Sequence, residues 1–592
     1  MNQFIKQTFA SLIGSLAALL LLFGLGASGF VLLFITLLSQ DIKPKVEDKS
    51  VLVFDLSAQI TDRQTAGNLT NIIGNQSDKV VCLRQVLEAI DKAAKDQRIV
   101  AILLAGGLEK NINGYATLTE VRNALSKFSA TGKKIIAYNV DWSEQDYYLA
   151  SVADQIVINP MGDLEINGFG TEQLFLTGAL EKYGVGVQVI RAGKYKAAVE
   201  PFTRKNLSPE SRNQTQELLS DLWSNFKVVV GTKRKLTPQK IQNITDKEGI
   251  IEPKKAQELG LVDRSGYFDE VITELKEITG NKKEDKYFKK INLPEYIAAS
   301  SDRKNYRDKI ALVYAEGTIV NGEGSDNSVG SETLVKELRK IRYDKDTKAV
   351  VLRINSPGGS ATASEIILRE LQLISKEKPV IVSMGNVAAS GGYWIATAAE
   401  KIFAQKTTIT GSIGVFGLFF NVNKIAKDNG LSWDVVKTGR YADINSSYRP
   451  KNPAEIANYQ KDVDKIYDLF IQKVAKSRKL SEKKVLAIAQ GRVWSGEDGK
   501  KIGLVDEIGG IEDAIEYAAK KAKLGKKWQI EEYPQPSTIG EKILGKVTEN
   551  ELKQDNLLTR ELVKIKDNLS LLQTLNDPKG IYIILPFDLT PD

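Results

Sequence analysis

Residues 384–394 read Met-Gly-Asn-Val-Ala-Ala-Ser-Gly-Gly-Tyr-Trp, which puts one serine, Ser390, in front of two glycines. The run Pro379-Val-Ile-Val-Ser383 before it reads as a short buried strand, and Tyr393–Ala399 has the small and apolar content of a buried helix. A serine at such a strand-to-helix turn sits at the positive end of a helix with little bulk around it. That environment suits a hydroxyl that must become an alkoxide and then face an oxyanion. Taken alone, the same letters also describe an ordinary helix start. A reactive serine needs a base, and the inventory of bases is short. The chain has no histidine and one cysteine, Cys82. Ser-His-Asp and Cys-His catalysis, HExxH zinc sites, disulfides within the chain and multi-cysteine metal sites are thereby excluded. The base must be a carboxylate, a lysine, a tyrosine or the amino terminus.

The elements around Ser390 narrow the choice. At 592 residues the chain exceeds one core, so two or more domains are expected. Val51–Leu56, Ile99–Leu104, Lys134–Tyr138 and Val187–Arg191 read as strands, with helices at Leu118–Phe128 and from an N-cap at Ser208 to Val230. This alternation predicts an α/β domain with a largely parallel sheet. After a charged stretch, Gly280–Lys286, which reads as the start of a connection, the order begins again. The strands are now Ile310–Tyr314, Ala349–Ile354, Val380–Ser383 and Asp434–Lys437, and the long helix is Pro453–Ser477. Tyr147–Asp154 matches Tyr393–Glu400, and Gly193–Lys196 matches Gly439–Ala442, both at an offset of 246 residues. Gly260–Asp263 answers Gly503–Asp506. Two domain-sized copies imply duplication.

The copies differ where chemistry would lie. Glu144 stands at the position of Ser390, and only the second copy has Asn355-Ser-Pro-Gly-Gly-Ser360 after a strand. Lys196 of the first copy becomes Ala442 in the second. A serine and a glycine loop in one half, with a unique lysine in the other, fit a divided active site. Burial between domains disfavours the ammonium and lowers a lysine's pKa from about 10.4. The N–H groups of Gly359 and Gly391 are candidate oxyanion donors, because glycine lets the backbone approach a substrate carbonyl closely. Ser412, in Thr410-Gly-Ser-Ile-Gly414, offers a hydroxyl to hold the amine. Ser375-Lys-Glu-Lys378 also has the Ser-x-x-Lys spacing, but its place at a polar helix end before Pro379 argues against a role. No P-loop, aspartic-protease triplet or clear dinucleotide fingerprint is present. No cofactor is expected.

The net charge of +8 arises from 82 basic and 74 acidic residues spread along the chain, so nucleic acid is not an expected partner. Phe9–Leu38 carries no charge and exceeds the roughly 20 apolar residues that a spanning helix needs. It therefore predicts a retained N-terminal transmembrane helix. The flanking lysines give no firm orientation. The expected layout is an anchor over 1–46, repeats over 47–300 and 301–530, and a tail over 531–592.

Asn355–Glu365, Ser383–Trp394, Thr410–Val415 and Gly193–Phe202 together resemble the signal peptide peptidase A (protease IV) family of serine–lysine peptidases, S49, in its long, duplicated form. The similarity covers roughly residues 50 to 530, and no motif position departs from the pattern. The resemblance implies tandem crotonase/ClpP-like domains of β-β-α turns, with Ser390 as nucleophile, Lys196 as general base and Ser412 as the lysine's partner. It likewise assigns Gly359 and Gly391 as oxyanion donors. It further implies cleavage of remnant signal peptides, a bowl-shaped homotetramer, and residence in the bacterial plasma membrane with catalysis on the extracytoplasmic side. The residues leave two rivals: a crotonase-type acyl-CoA enzyme, which needs no serine–lysine pair, and a peptide-binding scaffold without activity.

Overall fold

The computed structural model describes residues 44–63, 80–107, 113–301, 305–325, 327–534, 577 and 579–585. In the first repeat these form β1 (Ser50–Asp55), β2 (Ile99–Ala105), α1 (Tyr115–Ser129), β3 (Lys134–Asn139), α2 (Glu144–Ala150), β4 (Gln155–Ile158), β5 (Gly186–Ala192), α3 (Pro209–Arg234), β6 (Arg264–Ser265) and β7 (Lys290–Asn292). One parallel sheet runs β6-β4-β3-β2-β1-β7. Its central strand, Ile-Val-Ala-Ile-Leu-Leu-Ala, is apolar on both faces, as a strand covered on both sides must be.

The second repeat supplies β8 (Lys309–Glu316), β9 (Thr318–Val320), β10 (Ser328–Gly330), β11 (Thr347–Ser356), β12 (Gly358–Ser360), α4 (Ala361–Ile374), β13 (Val380–Ala389), α5 (Gly391–Ala396), β14 (Ile409–Gly411), β15 (Val415–Asn421), α6 (Pro453–Arg478) and β16 (Val493–Ser495). β17 (Gln529–Tyr533) and β18 (Ile581–Ile584) follow. The second sheet runs β16-β14-β13-β11-β8-β17. A third sheet, β10-β9-β12-β18-β15-β5, draws strands from both repeats and from the tail.

The duplication persists in side-chain detail. Tyr147 Oη donates to the Leu261 carbonyl and Tyr393 Oη to that of Leu504. Asp263 accepts from the Ile156 N–H, and Asp506 from the Ile402 N–H. Both 26-residue helices begin with a polar N-cap and a proline, and both end on a lysine in the left-handed region, Lys235 and Lys479. The expected N-cap at Ser208 is present, its hydroxyl accepting from the Ser211 N–H.

One expectation is corrected, at Asp434–Lys437, and the anchor and the tail boundary stand as follows. Phe9–Leu38 falls outside the described residues, and among the described residues no helix is long and apolar enough to cross a membrane. The boundary expected at 530 falls inside β17, which pairs with β8. Asp434–Lys437 is not a strand: it is exposed, with Val436 97% accessible. Its counterpart in the first repeat is β5, which pairs with β15 across the repeats. The corresponding partner segment of the first repeat, around Phe169–Phe175, forms no strand, so the apolar residues at 433–436 have no ladder to join.

Candidate active site

Ser390 is the turn between β13 and α5. The apolar strand runs on past the expected Ser383 to Ala389, because Val387–Ala389 pairs with β14. Ser390 then adopts φ 56°, ψ −111°, in the positive-φ region that costs a side-chain-bearing residue about 1–3 kcal/mol. Its N–H donates to the Gly411 carbonyl (2.8 Å) and its carbonyl accepts from the Trp394 N–H (2.8 Å), so the strained conformation is pinned on both sides. Ser412, just beyond β14, also has positive φ, at 49°.

Lys196 reaches this point from the other repeat. β5 lies antiparallel to β15, Ala192 opposite Val415, and the chain then turns through Gly193 (φ +105°) against Gln490 and Gly491. The Tyr195 N–H donates to the Gln490 carbonyl (2.8 Å), and the Gly491 N–H to that of Ile413 (2.8 Å). A Cβ on Gly491 would lie 2.6 Å from the Lys196 nitrogen, so only glycine lets the two backbones meet. Gln490 and Gly491 carry no recognisable motif, and the sequence alone did not point to them.

The geometry brings the expected groups together. Lys196 Nζ lies 2.7 Å from Ser390 Oγ, 2.8 Å from Ser412 Oγ and 3.0 Å from the Ser412 carbonyl oxygen. All three residues are completely buried. Burial drives the Lys196 amine well below its ordinary pKa. A neutral amine has two N–H donors and one lone pair, which matches two acceptors on Ser412 and a hydroxyl proton on Ser390.

The glycine loop completes the arrangement. A Cβ on Gly358 (φ +103°) would lie 2.6 Å from the Gly391 nitrogen, one on Gly391 3.1 Å from the Gly359 nitrogen, and one on Gly359 1.9 Å from the Ile319 carbonyl oxygen. The Gly359 and Gly391 amides are thus held close together by backbone packing that side chains would prevent.

Other serine and acid positions have different partners. In the first repeat, the Glu144 carboxylate accepts from the Asn167 and Gly168 N–H groups (2.7 and 2.8 Å), and burial pushes its pKa up to about 7. Lys378, of the Ser-x-x-Lys look-alike, donates to the carbonyls of Ile341, Arg342 and Asp344. Among the described residues no cluster of His, Cys, Asp and Glu could hold a metal ion.

The match to known proteins is extensive. A family model described as Peptidase family S49 matches residues 127–282 and 372–525, one stretch in each repeat, and one described as Clp protease matches 301–409. The chain is 32% identical to Protease 4 of Haemophilus influenzae over 94% of each protein. It is 35% identical to Protease 4 of Salmonella typhi, over 84% of this chain and 82% of that one. With the chloroplastic serine protease SPPA of Arabidopsis thaliana it shares 34% identity over 85% of this chain and 75% of that one. Two α/β repeats that each match the same peptidase model, and full-length likeness to several proteases, lead to one conclusion: the chain belongs to peptidase family S49 and is a serine endopeptidase.

Proposed function

We propose that the chain hydrolyses apolar peptides, remnant signal peptides among them, through a Ser390–Lys196 dyad and an acyl-enzyme. The observation that carries this reading is the 2.7 Å contact between the serine hydroxyl and a fully buried amine whose pKa burial pushes well down. In the first step Ser390 Oγ attacks the peptide carbonyl carbon while Lys196 Nζ takes the hydroxyl proton. The N–H groups of Gly359 and Gly391 receive the negative charge that develops on the carbonyl oxygen. Lys196 then gives its proton to the departing amine, which leaves an ester on Ser390. A water molecule attacks this ester with Lys196 again as base, and the acid product leaves. Ser412 orients the amine throughout. A crotonase-type reaction has no use for this pair.

The uncharged stretch Phe9–Leu38 would anchor the enzyme in the bacterial plasma membrane, with the repeats on the extracytoplasmic side near hydrophobic peptides. The working assembly in this reading is a homotetramer. Mass-spectrometric mapping of a fluorophosphonate adduct tests the chemistry. The adduct is expected on Ser390 in the unaltered protein and absent from folded Lys196→Ala. Equal labelling of both proteins would refute the dyad.

A further inference from the structure

The stretch Gln490–Ser495 touches every part of the site. The Gln490 carbonyl accepts from the N–H of Tyr195, the residue before Lys196 (2.8 Å). The Gly491 N–H donates to the Ile413 carbonyl (2.8 Å), and the Arg492 carbonyl accepts from the Ser412 N–H (2.7 Å). Val493 pairs with Gly411, whose carbonyl accepts from the Ser390 N–H (2.8 Å). The lysine turn, Ser412 and the nucleophile are thus all referred to one piece of backbone. That piece includes β16, which ends its sheet and has a ladder on one side only.

The other repeat holds it from the open side. Gln214 Oε1, on α3, accepts from the Val493 N–H (3.0 Å), and Asp221 Oδ2 accepts from Ser495 Oγ (2.9 Å). Between them the Glu217 carboxylate binds the Arg492 guanidinium, which also lies over the rings of Trp494 (4.1 Å) and Tyr195 (5.6 Å). Spacings of three and four put 214, 217 and 221 on one face of the helix. Leu218 and Leu222 of the same helix pack with Ala389, Ile409 and Val493, beside Ser390. Gln214 is buried, and its Nε2 has no partner among the described residues, so the oxygen is the atom that acts. The duplication supplies a comparison. α6 has the same length and the same leading proline, yet at the matching positions it carries Asn458, Lys461 and Lys465. The two carboxylates belong only to the helix that backs β16.

We propose that Gln214, Glu217 and Asp221 are positioning residues of the peptidase, which clamp Gln490–Ser495 from the first repeat and so hold Ser390, Ser412 and Lys196 in reactive register. This rests on the reading of Ser390 and Lys196 as the dyad given above. None of the three touches a reacting atom. A shift of β16 passes to Ser390 through Gly411, and to Lys196 through Gln490 and Ser412. Such misplacement slows the chemical step while leaving peptide binding as it was.

The test uses the full chain with Gln214→Leu, Asp221→Leu or Asp221→Asn, an apolar fluorogenic peptide and fluorophosphonate labelling of Ser390. Gln214→Leu is expected to lower kcat roughly 30-fold and Asp221→Leu roughly 10-fold, with KM changed less than about 2-fold. Labelling should slow by the same factors. Asp221→Asn keeps an acceptor for the Ser495 hydroxyl and should stay within about 3-fold of the unaltered enzyme. Gln214 carries no charge, so its removal deletes no titrating group. Even so, the rising limb of the pH profile in Gln214→Leu should move about half a pH unit or more to the alkaline side, because a loosened pocket admits water to the amine. A contact that served stability alone would reduce the folded fraction and leave that profile in place. A kcat within about 2-fold of normal in either leucine variant, a raised KM at unchanged kcat, or an unmoved pH profile would overturn the proposal. Should Gln214→Leu fail to fold, the two Asp221 variants decide, and equal rates in them would overturn it. Absence of label on Ser390 in the unaltered protein would instead refute the dyad.

Discussion

Lys196 is fully buried, and burial holds its amine well below the ordinary lysine pKa, which sets two pH dependences. Its folded-state pKa lies well below that of the unfolded chain, so between the two values the unfolded chain binds more protons. Stability therefore rises with pH across that window, and the cost of the lysine is fully present below its folded pKa. Lys196→Met is expected to raise Tm at pH 7, with a gain that shrinks as pH approaches 10; a lower Tm at pH 7 would contradict the downward shift of the amine's pKa. Activity of the unaltered enzyme should rise with pH through the lysine's depressed pKa, and a flat profile from pH 6 to 10 would argue against Lys196 as base. Ser390 and Lys196 stood out as letters because the duplication offers each repeat as a control for the other, and the structure brings the Lys196 amine within hydrogen-bonding distance of Ser390 and Ser412. Glu144 and Ala442 mark where one copy lacks what its twin has.

The elements were less evenly legible. Runs that are apolar on both faces, such as β2 and the Val380–Val382 start of β13, identify themselves, and so do the capped 26-residue helices. Asp434–Lys437 has the letters of a strand but no partner, and a strand exists only through pairing. β18 and the Gln490–Gly491 turn stayed hidden for a related reason: each owes its shape to residues far away along the chain. The turn gives the sharper prediction. Ala at 491 would put a Cβ 2.6–2.8 Å from the Lys196 backbone, at a φ of +78°. Gly491→Ala is therefore expected to push the amine away from Ser390 and lower kcat/KM by roughly 100-fold, as ångström-scale misplacement of a catalytic group does. The circular dichroism spectrum should stay native. Near-normal activity would show that the lysine is positioned by something other than this turn.

At the scale of the molecule the repeats are joined by buried charge. Arg353 of β11 binds Asp62 and Glu120 of the first repeat (2.8 Å each), as well as Ser383 Oγ (2.9 Å), with its side chain completely buried. Glu120 also accepts from the Ile511 N–H (2.6 Å), so one carboxylate ties both halves. Removing the guanidinium would leave two carboxylates in the interior. Arg353→Met is expected to cost about 3–5 kcal/mol in chemical denaturation, and a loss below 1 kcal/mol would mean that apolar contact alone holds the repeats.

The crossing of β5 onto β15 has a consequence for the enzyme's life history. The Lys196 amine is synthesised almost two hundred residues ahead of the Ser390 hydroxyl, so under the proposed dyad neither half alone contains a working centre. On that reading a nascent chain that has not yet reached Ser390 has no active centre. Hydrolytic competence by that route arrives only when the second half has folded and closed on the first.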